Sequence, residues 1–241
     1  MTYCLAAAVD AGLVFAADSR TNAGLDHINT YPKLHPFIWE GDRVFVLLSA
    51  GNLATTQAVV TEMQRNAESG GALSEARFLP EAAQYVGEVS RRVQARHAPE
   101  GPGAGNVSLE ASFILGGQIG NQEPGLFLIY PRGNFITCSQ EQPFLQIGET
   151  KYGKPILDRI ISPSLSLEDT VRCALVSIDS TMRSNLSVGP PLDLMIYPKD
   201  TLERPRALRY KLNSPYFASI RKRWSDGLRR LFDDLPRFDW E

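Results

Sequence analysis

Thr2 stands directly behind the initiator methionine. A small second residue permits removal of Met1, and Thr2 would then carry a hydroxyl and a free α-amine. An α-amine has a reference pKa of about 7.7–8.0, so a useful fraction is neutral near pH 7. It can take the proton of the adjoining hydroxyl, directly or through a water, which makes the threonine an activated nucleophile. Asp18 and Lys33 follow, each near the end of an early element. A lysine beside the threonine favours the less positive forms of its hydroxyl and amine, and a carboxylate beside the lysine keeps the lysine charged and oriented. Gly51 ends an apolar run and opens a helix, so its N–H is expected as a donor to an oxyanion.

Other chemistry finds less support. Cys4, Cys138 and Cys173 are three scattered thiols with no CxxC pair, and His27, His35 and His97 form no HxxxH or HExxH pattern. Neither a disulfide framework nor a metal site is expected, and the histidines read as structural. Cys4 lies two residues beyond Thr2 in a strand and shares its side, where a small buried residue is expected. No Walker A or strand–GxGxxG–helix pattern occurs, so no cofactor is expected. The 25 basic and 27 acidic residues give a net charge of −2, which argues against nucleic acid as a partner. From Glu203 to Glu241 ten basic residues meet six acidic ones, a modest basic tail that suits a solvated face or a subunit contact.

The elements that must hold these residues follow from patterning. Residues 2–9 and 13–18 are apolar segments separated by Asp10-Ala11-Gly12, which predicts a β-hairpin. Residues 43–50 form a third buried strand, broken at Gly51, with Asn52 placed to cap the helix that carries Leu53, Thr56, Val60 and Met63. Residues 68–77 read as a loop. A second helix starts at Pro80 and presents Ala82, Tyr85, Val86, Val89 and Val93 as its apolar stripe. Residues 99–106 read as a loop. Four short strands are expected near 110–118, 124–130, 134–138 and 143–147, then a short helix near 151–161. A longer helix begins after Ser166, where Ser166 and Asp169 resemble a capping box, with Leu167, Val171, Ala174, Leu175, Ile178 and Met182 along its stripe. Strands near 193–198 and 206–212 and a helix near 215–232 close the chain. Strands joined by tight turns pair antiparallel, and helices arriving in pairs can cover two outer faces. The expected fold is an α/β (α+β) four-layer αββα sandwich of two stacked, mainly antiparallel sheets.

With 241 residues, 43% hydrophobic and 22% charged, the chain has ample material for a core. It reads as a single domain over 1–241 with a C-terminal helical extension at about 214–241. No apolar run approaches the ~20 residues of a membrane span, and the start carries no basic segment of a signal peptide. A reducing, cytoplasmic compartment is expected.

Taken in order, Thr2, Ala17-Asp18-Ser19-Arg20, Lys33 and the run from Ser49 to Gln57 resemble a proteasome-type β subunit of the N-terminal-nucleophile hydrolases. The likeness continues through Phe113–Gly117 and Gln146–Glu149 and ends near Arg183–Gly189, covering most of residues 2–200. The segments SAGNLATTQAVV, IGETKYGKPILDR and DSTMRSNLSVGPP are similar to the bacterial ancestral-β-subunit branch, Anbu. The resemblance implies a threonine peptidase in which Thr2 Oγ attacks the scissile carbonyl, the Thr2 amine is the base, Lys33 the electrostatic activator, Asp18 its partner and the Gly51 N–H the oxyanion donor. Ser187 corresponds to a serine that hydrogen-bonds near the nucleophile, and Ser49 to a residue shaping the primary specificity pocket. Ser184 stands where many relatives carry an aspartate and Ile147 where many carry a serine; Thr2 and Lys33 are one residue closer than is commonest. The implied partners are copies of the same chain in a ring or spiral, and a peptide or unfolded protein as substrate. Two alternatives remain open: an N-terminal-nucleophile amidase acting on small amides, and an assembly or scaffold subunit with little catalysis.

Overall fold

The computed structural model describes residues 2–22, 28–96 and 108–240. The expected hairpin is present: β1 (Tyr3–Val9) pairs antiparallel with β2 (Gly12–Asp18). Both strands are buried on both faces, which is why their sequences read as unbroken apolar runs. With β10 (Phe144–Gly148), β11 (Leu192–Pro198) and β12 (Arg206–Tyr210) they form one five-stranded sheet in the order β10-β1-β2-β11-β12. The second sheet is β5-β6-β7-β8-β9, from Leu34–Trp39, Arg43–Gly51, Ala111–Ile119, Gly125–Ile129 and Phe135–Thr137. Both sheets are antiparallel throughout.

Alternation along the strands sorts the core into three layers. On β1, Cys4 and Ala6 face the second sheet, while Tyr3 and Leu5 face outward. On β6, Val46 and Leu48 point inward against Phe15 and Ile114, while Phe45 and Leu47 point outward. That outer face is covered by α1 (Leu53–Ser69) and α3 (Leu79–Arg96) through Val59, Met63, Val86 and Val89. The opposite outer face, on β1 and β2, is covered by α4 (Lys154–Ile160) and α5 (Leu167–Ser184) through Leu157, Val171, Leu175 and Ile178. The result is the four-layer αββα sandwich. The caps are as expected: the side chains of Asn52 and Ser166 accept from the backbone N–H of Thr55 and Asp169.

Some elements depart from the sequence reading. A short helix, α2 (Ala72–Glu75), interrupts the loop expected over 68–77. Three strands were not anticipated: β3 (Arg20–Asn22), β4 (Ile28–Thr30) and β5. Pro36 lies inside β5, and it is tolerated because β5 is an edge strand paired only with β6. The loop expected at 99–106 and residues His27 and His97 lie outside the described residues.

The last helix, α6 (Pro215–Asp233), packs on α5 only through its first turns, with Phe217 fully buried and Ile220 partly so. From Leu228 on its apolar residues are exposed, including Phe232 at 73% and, past its end, Trp240 at 91%. No helix among the described residues is long and apolar enough to cross a membrane.

Candidate active site

Thr2 sits immediately ahead of β1, half-buried. The peptide that joins it to Tyr3 is held from both sides. Its carbonyl oxygen accepts the backbone N–H of Glu149 at 2.7 Å. Its nitrogen, the N–H of Tyr3, donates to Asp18 Oδ1 at 3.0 Å. The close approach of β10 depends on Gly148, whose φ is +83° and where a Cβ would lie 2.0 Å from the Thr2 carbonyl. The Thr2–Tyr3 peptide is therefore held by hydrogen bonds on both sides.

Asp18, at the end of β2, is fully buried. Its Oδ1 also accepts from Lys33 Nζ at 2.7 Å, and its Oδ2 from the N–H of Gly189 at 3.1 Å. Burial pushes the Asp18 carboxyl above the usual carboxylate range, while the Lys33 ammonium and the two backbone donors pull it back. Lys33 is 6% exposed and gives a second proton to the carbonyl of Arg20 at 2.7 Å. One carboxylate oxygen thus bridges the lysine ammonium and the N–H of the Thr2–Tyr3 peptide.

Thr2, Lys33 and Gly51 line one cleft of about 370 Å³, together with Ser49, Thr21, Tyr31 and His35 and one face of α1. Gly51 has a φ of +117°, and a Cβ there would come 2.4 Å from the Glu110 carbonyl. It is exposed at the junction of β6 and the N-terminus of α1. Of the five residues singled out in the sequence, four converge in this way: Asp18 reaches the cleft through Lys33. Ser187 does not line it. Its N–H and Oγ both donate to Asn185 Oδ1, at 3.0 and 2.5 Å. Asn185 Nδ2 in turn donates to Glu149 Oε2 at 2.9 Å, and Glu149 is the residue bonded to Thr2.

Cys4 is in the core between the sheets, its thiol directed to the carbonyl of Ser49 and its pKa raised by burial. Ile147, paired with Cys4 across β1 and β10, belongs to that core as well. Ser184 is exposed at the end of α5. His35 was read as structural and instead lines the cleft. Burial holds its imidazole down to about 4, against the opposing pull of the Asp193 carboxylate and a hydrogen bond to the Pro32 backbone, so it is neutral near pH 7. Its position two residues after Lys33 sets both on one side only once the strand beginning at Leu34 is known. Among the described residues no group of three His, Cys, Asp or Glu side chains is placed to hold a metal ion.

This fold, with Thr2 immediately ahead of β1, is of the N-terminal-nucleophile hydrolase type. The proteasome subunit family model matches residues 2–196, and the chain belongs to that family. Among solved structures it is similar to the Anbu protein of Pseudomonas aeruginosa, described as a helical assembly (49% identity, 99% of each chain, TM-score 0.94). It is likewise similar to Anbu from Yersinia bercovieri (47% identity, 100% of each chain, TM-score 0.93). Anbu from Hyphomicrobium sp. strain MC1 is 44% identical over 99% of this chain and 100% of that one, with a TM-score of 0.89. None of the curated proteins matched the chain.

Proposed function

We propose that the chain is a threonine peptidase that works within an assembly of its own copies. The observation that carries this reading is the shared Asp18 oxygen, which ties Lys33 to the Thr2–Tyr3 peptide, with Thr2 and Lys33 lining one cleft. After Met1 is removed, the Thr2 amine accepts the Oγ proton as Oγ attacks the carbonyl carbon of the scissile peptide. Lys33 supplies a positive field that favours the developing alkoxide. The N–H of Gly51 donates to the oxyanion. The protonated amine then gives its proton to the leaving nitrogen, leaving an ester on Thr2. Water attacks that ester with the amine again as base, and the acyl group departs as a carboxylic acid. Ser49 shapes the pocket beside the nucleophile.

Self-assembly is supported by the exposed apolar surface at the end of the chain, where Leu231, Phe232, Leu235, Phe238 and Trp240 all face solvent. A monomer rarely leaves such a set uncovered. The helical assembly of the Pseudomonas relative is consistent with the same behaviour here.

Mass spectrometry of the intact protein, before and after a threonine-directed electrophile, tests the reading. Loss of Met1 and one adduct on Thr2, absent in Thr2→Ala, are expected; a retained methionine refutes it. A second reading, an amidase for small acyl amides, draws on the cleft volume of about 370 Å³. It is small as ligand pockets go. Turnover of short acyl amides without turnover of peptides would favour it.

A further inference from the structure

We propose that Glu149 is a positioning residue for the Thr2 α-amine, oriented by Asn185 and Ser187, and that its carboxylate sets how basic that amine is; this rests on the function proposed above. The reaction moves one proton from Oγ to the amine, breaking an O–H bond and forming an N–H bond. The amine becomes an ammonium beside charges already present.

Those charges leave a need for a further carboxylate. Lys33 faces the same cleft as a cation. Arg20, beside the 186–189 loop, donates to the Leu186 carbonyl. Asp18 is occupied on both oxygens by Lys33, Tyr3 and Gly189. Asp193 is engaged by Ser19 and Arg209. His35 is neutral, and the α1 wall contributes Thr56, Gln57 and Thr61, which carry no charge. Glu110 lies in a neighbouring depression behind Gly51 and is exposed.

Glu149 is the carboxylate tied directly to Thr2, through its backbone N–H at 2.7 Å from the Thr2 carbonyl. That contact places the residue bearing the carboxylate beside the Thr2 backbone. Its orientation is held as well. Ser187 offers two donors to one end of the Asn185 amide, so that end is the oxygen and the other is the NH₂ that meets Glu149 Oε2. Ser187, which does not line the cleft, acts on Thr2 through this relay. A carboxylate within about 4–6 Å favours the ammonium and raises the amine's pKa.

The test measures the amine itself. The assembled protein is labelled with trace acetic anhydride across pH 5–10, and acetylation of the Thr2 amine is read by mass spectrometry. Glu149→Gln is expected to lower the apparent pKa by about one pH unit, the low end of what a neighbouring opposite charge does. Glu149→Asp should restore most of it. Asn185→Ala and Ser187→Ala should shift it the same way by less, and either one serves if Glu149→Gln does not fold. An amine pKa unchanged in every folded variant overturns the proposal, as does a uniform loss of rate with no shift. If the shift appears but the threonine-directed electrophile does not react, the peptidase reading fails and this one stands. If the electrophile reacts and the shift is absent, this one alone fails.

Discussion

Replacing Asp18 by asparagine keeps the shape of the side chain and removes its charge. The change leaves the Lys33 ammonium, 6% exposed, with neutral acceptors alone, the Arg20 carbonyl and the new amide oxygen. Breaking a buried pair in this way costs about 3–5 kcal/mol, because the surviving charge stays desolvated. In a chain of 241 residues each kcal/mol corresponds to about 2–4 °C in Tm, so the variant should melt about 6–20 °C lower at matched protein concentration. Asp18→Asn combined with Lys33→Met removes both charges, and the double variant should recover part of the loss, with a coupling of about 1–3 kcal/mol. Labelling of Thr2 by the electrophile should fall in Asp18→Asn, in Lys33→Met and in the double variant. Stability and chemistry are thereby separated: the double variant is stabler than the single one and no more reactive. A single variant that melts with the wild type, or a double variant whose loss equals the sum of its parts, would refute the claim that one oxygen joins these groups. Full labelling of Thr2 in the double variant would refute the catalytic reading of the pair.

Gly51→Ala forces a side chain onto a φ of +117° and to 2.4 Å from the Glu110 carbonyl, so a loss of about 1–3 kcal/mol in urea unfolding and a slower Thr2 reaction are expected. His35 is held at about 4 when folded and lies near 6.5 when unfolded, so the unfolded chain binds the extra proton as pH falls between those values. Stability should therefore drop by about 3 kcal/mol from pH 6.5 to 4, and His35→Gln should flatten that part of the stability–pH curve. Asn52→Ala removes the cap of α1 and should cost about 1 kcal/mol by the same unfolding measurement. Phe232→Glu together with Trp240→Glu should lower the mass seen by light scattering without lowering helix content, since both side chains lie outside the core.

Where one physical rule acted alone, the sequence was legible. The hairpin followed from two apolar runs around Asp10-Ala11-Gly12, and α1, α3 and α5 from their apolar stripes and caps. β5 was not legible, because Pro36 argues against a strand unless the strand is known to be an edge, and edge position belongs to the sheet rather than the segment. The site divided in the same manner. Asp18 and Lys33 have complementary charges at the ends of neighbouring elements, and the pairing of the two could be anticipated. The place of His35 required knowing that β5 existed. That of Ser187 depended on which way the Asn185 amide points, a matter settled by two donors that only the folded loop brings together.

In the reaction proposed above, the held Thr2–Tyr3 peptide is what would let Thr2, once Met1 is removed, serve as a base. Terminal residues ordinarily fray, and a mobile amine would meet its own hydroxyl in many geometries. Here the carbonyl is fixed by Glu149, just past the end of β10, and the following N–H by Asp18 of β2, so groups on both sides of β1 fix the residue that precedes it. The anchor on β2 is the carboxylate that also holds Lys33, so displacing the lysine disturbs the bond to Tyr3 as well. Such coupling gives a reason for burying Asp18 completely: a solvated carboxylate would hold neither donor in a fixed direction, and the cost of burial is offset by three donors on its two oxygens.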